Sequence, residues 1–247
     1  MTYCIGLQLR QGLVFMSDTR TNAGVDNIST VKKMHTWCVP GERFIALMTA
    51  GNLATTQAVV SMIEERTKLQ EDRNPWILTA PSMFQTAQEV GRTLRDVIEA
   101  STQNGATAES SFAGTLILGG QIKGGPPRLF LIYPEGNFIE ASGDNPFFQI
   151  GEAKYGKPIL VRAFDTEMSY AAAVKLLLVS FDSTIKANLS VGPPIDYQVY
   201  ETETFGPGPS GRIELDDPYY DTISKRWGEA LRAAFDQLPD FELPPAP

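Results

Sequence analysis

Histidine is almost missing from this chain: His35 is the only one in 247 residues. A Ser–His or Cys–His hydrolase would have to be built on that one side chain. Nothing around it has the spacing of a zinc motif, so no metal site is expected. Cysteine is scarce as well. Cys4 and Cys38 lack CxxC spacing and cannot form a disulfide framework. They read as small buried hydrophobes in a reduced, cytoplasmic setting. No run of about 18 apolar residues is present, and the start lacks the basic and apolar regions of a secretory signal, which argues against a membrane partner. Cations are outnumbered, 21 Lys and Arg against 29 Asp and Glu, for a net charge of −8. That balance argues against nucleic acid as the main partner. There is no Walker A loop and no GxGxxG after a strand, so nucleotide binding has no support.

What remains is the composition of a folded domain. Hydrophobic residues make up 43% of the chain, enough for a sizeable core. The expected organisation is a single domain over 1–237 and a Pro-rich tail, "LPDFELPPAP", over 238–247. The tail reads as flexible or docked on a neighbour.

Alternation of Tyr3, Ile5, Leu7 and Leu9 predicts a strand over Thr2–Leu9, returned by the "RQG" turn into a second over Leu13–Thr19. Thr21–Ser29 is polar and Gly/Asn-rich and reads as a loop. "KKMHTWCV" and "RFIALMTAG" follow as a second strand pair across "PGE". The period then changes. Helices are expected from Leu53 to about Leu69 and around Phe84–Ile98, followed by a loop at "NGATAESS". Strands are predicted at Ser111–Gln121, Arg128–Tyr133 and Phe138–Ser142. Helices at Lys154–Arg162 and Tyr170–Ala187 come next, then strands at Asp196–Thr204 and Arg212–Leu215. A last helix over Tyr219–Gln237 carries an aromatic cluster that reads as helix packing or a subunit contact. Segregated strand and helix runs point to an α+β sandwich of antiparallel sheets with outer helices.

The opening "MTYC" raises a chemical possibility. A threonine hydroxyl is a weak nucleophile until a base takes its proton. With Met1 removed, Thr2 would carry its own base: an α-amine of unperturbed pKa about 7.7–8.0. Such a site needs a cation nearby and an acid to hold it. Asp18 stands near the start of the first strand, and "STVKKMH" offers Lys32 and Lys33, of which at most one can face Thr2. The developing oxyanion needs a backbone N–H, and Gly51 in "TAGN" can bring one close.

Thr2, "SDTRTNAG", "KKMH" and "MTAGNLATTQ" together resemble the proteasome β-subunit family. The "MTYC" start, "SDTRTNAGVDNIS" and "GEAKYGKPIL" resemble its ancestral bacterial branch, known as Anbu. The resemblance implies a four-layer αββα N-terminal-nucleophile hydrolase sandwich and a threonine-type peptidase without cofactor. It implies a homo-oligomer, a ring or helical stack of β-type subunits, acting on a peptide or amide. Carried over residue by residue, Thr2 is the nucleophile, Asp18 orients Lys33, and Gly51 gives the oxyanion donor. Asn22 pairs with an extended substrate, and Val31 and Thr49 line its primary pocket. Ser190 matches a supporting serine. Two positions depart from the family pattern: Glu152 stands where a serine is usual, and Ala187 where an aspartate is usual, with Asn188 beside it. Glu152 could bind a cationic substrate group or alter the amine. These departures keep open a non-protein amide substrate, or an assembly protein with a weak site.

Overall fold

The computed structural model describes residues 1–22, 28–68, 76–102 and 112–243. The first two strands form the expected hairpin. β1 (Tyr3–Leu9) pairs with β2 (Gly12–Asp18) in a register running from Cys4 opposite Ser17 to Leu9 opposite Gly12. Tyr3, Ile5, Leu7 and Leu9 face helices, while Cys4 faces the other way, as a period of two requires. The stretch expected to be a loop instead carries a short ribbon of β3 (Arg20–Asn22) against β4 (Ile28–Thr30). Polar side chains hid it, because both strands are only three residues long. β5 (Met34–Val39) and β6 (Arg43–Gly51) follow as the second strand pair, with β5 starting after Lys32 and Lys33 rather than including them.

Helices α1 (Leu53–Lys68) and α2 (Met83–Thr102) match their apolar periodicity. The "NGATAESS" loop lies outside the described residues. β7 (Gly114–Ile122), β8 (Arg128–Ile132) and β9 (Phe138–Glu140) then extend the β5–β6 pair. A further strand, β10 (Phe147–Gly151), was not anticipated; it pairs with β1 along the first strand's free side. α3 (Ala153–Ala163), α4 (Tyr170–Ala187), β11 (Ile195–Glu201), β12 (Ser210–Ile213) and α5 (Pro218–Asp236) complete the order.

Two five-stranded antiparallel sheets result, β10-β1-β2-β11-β12 and β5-β6-β7-β8-β9. Cys4, Leu13 and Phe15 of the first sheet meet Phe44, Met48 and Ile117 of the second in the central layer. The outer face of the first sheet packs Leu177 and Phe181 of α4 against Tyr3, whose ring lies 4.7 Å from that of Phe181. The outer face of the second sheet packs Ile45, Leu47 and Leu116 against Val59 and Leu94 of α1 and α2. This is the expected αββα layering. It places β1 in the interior of its sheet, held on both sides from its second residue.

Candidate active site

The chain's start is pinned by backbone before any side chain acts. The Glu152 N–H donates to the Thr2 carbonyl at 2.8 Å, just beyond the end of β10. Gly151, opposite Tyr3, adopts φ +81°, and a Cβ there would strike the Thr2 carbonyl, so only glycine allows this pairing.

Beneath Thr2 lies a buried ion pair. Asp18, at the end of β2, is fully buried, and Lys33, just ahead of β5, is 4% exposed. Lys33 Nζ donates to Asp18 Oδ1 at 2.8 Å, to the Arg20 carbonyl at 2.6 Å and to the Met1 carbonyl at 3.3 Å. All three ammonium protons therefore have acceptors. Asp18 Oδ1 also accepts the Tyr3 N–H at 2.9 Å. The Gly192 amide lies near the carboxylate without reaching good hydrogen-bond geometry, which leaves Oδ2 without a partner. Burial pushes the Asp18 carboxyl above its usual range, and Lys33 pulls it back only in part. Lys32 is exposed, so the two adjacent lysines are divided between solvent and core.

Lys33 borders an open cleft of about 710 Å³. Thr2, Val31, Lys33, Thr49 and Gly51 all line it, together with Met1. Gly51 ends β6 at φ +116°, where a Cβ would run into the Ala113 carbonyl oxygen. Cys4 sits behind this wall; its Sγ donates to the Thr49 carbonyl at 3.8 Å, and burial pushes its thiol pKa up. Asp18 does not reach the cleft itself and is joined to it by its contact with Lys33.

Glu152 and Ser190 lie outside the cleft lining, and of Asn22 only the backbone is described. Asn22 ends β3, its backbone opposite Ile28. Glu152 touches Thr2 through its backbone, while its carboxylate stands 3.9 Å from Lys154 Nζ. Ser190 sits in the α4–β11 loop, where its N–H donates to Asn188 Oδ1 at 2.9 Å. That bond commits the Asn188 side chain to the turn. The same loop is tied to β3 by Arg20, whose guanidinium donates to the Leu189 carbonyl at 3.1 Å.

Other contributors had no signal in the sequence. The Arg20 and Met1 carbonyls and the Tyr3 amide are backbone groups, which every residue carries. The Tyr3 hydroxyl meets Ser180 Oγ at 2.8 Å and accepts from Gln149, which anchors the residue after Thr2 in the α3–α4 layer. His35, the only histidine, is half-buried and lines the cleft beside Gln57 and Glu64. Burial and then Lys32 hold its pKa below the usual value, against an opposing effect of Glu64. No group of three or more metal-ligating side chains exists among the described residues.

Two stacked antiparallel sheets between helix layers, with a strand beginning beside a buried Asp–Lys pair, define the N-terminal-nucleophile hydrolase fold. Comparison with known proteins narrows this class. A family model described as "Proteasome subunit" matches residues 2–199. Anbu from Hyphomicrobium sp. strain MC1 is 50% identical, with a TM-score of 0.88 over 98% of this chain and 100% of that one. Anbu (ancestral beta-subunit) from Yersinia bercovieri is 46% identical, with a TM-score of 0.90 over 98% and 100%. The subunit of the helical assembly of the Anbu complex from Pseudomonas aeruginosa is 41% identical, with a TM-score of 0.87 over 99% and 98%. No curated protein matches. The chain belongs to the proteasome subunit family, in its Anbu branch of ancestral β-subunits.

Proposed function

We propose that this protein is a threonine-type N-terminal-nucleophile hydrolase of amide bonds that works as a homo-oligomer. The observation that carries the reading is the Lys33 ammonium, buried on Asp18 and 3.3 Å from the Met1 carbonyl. That carbonyl carbon is bonded to the Thr2 nitrogen, so Lys33 sits next to the place where a free Thr2 amine stands once Met1 is removed. With Met1 attached, the Thr2 nitrogen is an amide and cannot act as a base.

In the processed chain, the Thr2 amine takes the hydroxyl proton as Oγ1 attacks the amide carbonyl. Lys33 keeps the local potential positive, which favours the alkoxide and the neutral amine. The Gly51 N–H receives the developing oxyanion. The amine proton passes to the leaving nitrogen, and water then hydrolyses the acyl ester on Thr2. Asn22 pairs by backbone with an extended substrate, and Val31 and Thr49 bound its leading side chain. The helical assembly of the Pseudomonas relative supports the oligomeric part of the reading.

A second reading has its own observation. Asn188 spends its side-chain oxygen on Ser190, Ala187 offers no polar group, and Glu152 replaces a hydroxyl. The amine therefore has less hydroxyl support than the family pattern supplies, which favours a narrow amide substrate over unstructured peptides at large.

Intact mass after incubation with a threonine-reactive electrophile tests the proposal. Expected are loss of Met1 and one adduct that Thr2→Ala abolishes. A processed chain that takes no adduct, or an adduct that survives Thr2→Ala, overturns it. A peptide panel then separates the two readings.

A further inference from the structure

Of the five helices, the C-terminal one buries the fewest residues. Tyr220 is the one buried residue of α5. Leu231 and Phe235 are 51% and 73% exposed, and beyond the helix Leu238, Phe241 and Leu243 are 64%, 82% and 82% exposed. A groove of about 410 Å³ runs between α4 and α5. Its apolar lining is Trp227, Gly228 and Leu231, and its cations are Lys186, Lys225 and Arg232. Lys225 is engaged by Asp221 at 2.7 Å, and Asp182 is buried beside Tyr220. Lys186 and Arg232 have no ion-pair partner among the described residues. The Trp227 indole N–H has no acceptor there either.

The segment that follows the helix has the opposite character. In "PDFEL", Asp240 and Glu242 alternate with Phe241 and Leu243. In an extended chain that spacing puts acid on one face and apolar surface on the other. The groove offers the matching pair: an aromatic and aliphatic lining, with two uncommitted cations. Its own tail does not fill it: Phe241 and Leu243 stand open to solvent and are absent from the groove lining, and the tail is too short to reach Trp227. Trp227 lies about 14 Å back along the helix from Asp236. After a reversal at Pro239, Phe241 reaches about 7 Å.

We propose that the Asp240–Leu243 segment of one copy docks in the α4–α5 groove of a second copy. Phe241 packs on Trp227, and Asp240 and Glu242 face Lys186 and Arg232. An exchange in which each copy fills the other's groove closes as a two-fold pair. Local charge matching also offsets the repulsion between two chains of net charge −8. The inference rests on the homo-oligomer reading above and adds the surface and the segment.

Sedimentation velocity over a concentration series tests it with three proteins: the full chain, a chain ending at Gln237, and Lys186→Glu/Arg232→Glu. The full chain is expected to associate, and each variant to associate at least tenfold more weakly. Adding Asp240→Lys/Glu242→Lys to the groove variant is expected to restore association, which simple misfolding could not do. The shortened chain keeps a groove without a tail, and the groove variant keeps a tail without a groove, so mixing them is expected to give a complex that neither forms alone. A full chain that stays monomeric removes the oligomer reading and the docking together. A full chain that associates no better than both variants overturns the docking alone. So does a pair of variants that fails to combine.

Discussion

Replacing Lys33 by methionine tests the site's electrostatics directly. The substitution keeps most of the stem's volume but strips the 2.8 Å partner from a fully buried carboxylate. Asp18 then keeps only the Tyr3 amide at hydrogen-bond distance. Breaking a buried pair from one side costs about 3–5 kcal/mol, because the remaining charge stays desolvated. For a domain of this size that is a fall of about 6–20 °C in Tm. The loss depends on pH with a definite sign. Burial already raises the Asp18 pKa, and without Lys33 it rises further. A carboxyl with a raised folded-state pKa gives stability that is complete below its unfolded pKa of about 3.9. That stability is lost as pH rises through the folded value. The deficit against wild type is therefore expected to be larger at pH 8 than near pH 4.5. Asp18→Asn/Lys33→Met removes both charges and is expected to recover about 2 kcal/mol of the loss. Urea and thermal melts at the two pH values give all four numbers. A Lys33→Met protein that melts within about 2 °C of wild type at pH 8 would refute the buried-pair argument. A double variant no better than the single would do the same.

Three further outcomes are expected. Gly51→Ala forces a side chain onto φ +116° against the Ala113 carbonyl; it should cost about 1–3 kcal/mol in strain and slow Thr2 labelling per folded molecule. Gly156→Ala would drive a methyl into the Tyr3 hydroxyl and Ser180 Oγ, costing about 1–3 kcal/mol of stability and so lowering the urea midpoint, and a midpoint equal to wild type would count against the Tyr3 anchor. His35 has a lowered pKa, so its contribution is present above pH of about 6.5 and is lost as pH falls through its folded value; His35→Gln should flatten stability between pH 7 and 5.

The hairpin, the helices and the layering were readable because each rests on local periodicity. Tyr3, Ile5, Leu7 and Leu9 announce a strand with one buried face, and the α4 stripe announces a helix. β10 was missed because five residues after an Asn-Pro carry little pattern, and because its partner lies some 145 positions earlier. The β3–β4 ribbon was missed because its residues are polar. At the site, Thr2, Lys33, Thr49, Val31 and Gly51 were read together and the fold gathers them around one cleft. Asp18 was read as the lysine's holder, and the geometry gives it that contact. Glu152 and Ser190 came from motif position alone, which fixes a place on the backbone but not where a side chain points. The Arg20 carbonyl could not have been read at all, since nothing in a residue's identity says whose proton its oxygen accepts.

The flanks of β1 and β2 set an order in time. Thr2, Asp18 and Lys33 leave the ribosome early, yet β10 ends at Gly151 and β11, which pairs with Asp18 through Ile195, is made far later. At about 5–20 residues per second, some 177 residues separate those two partners by roughly 10–35 s of synthesis. A nascent chain therefore carries Thr2, Asp18 and Lys33 without the strands that complete their sheet. Chain order thus makes the surroundings of the first strand a late part of the domain to be completed.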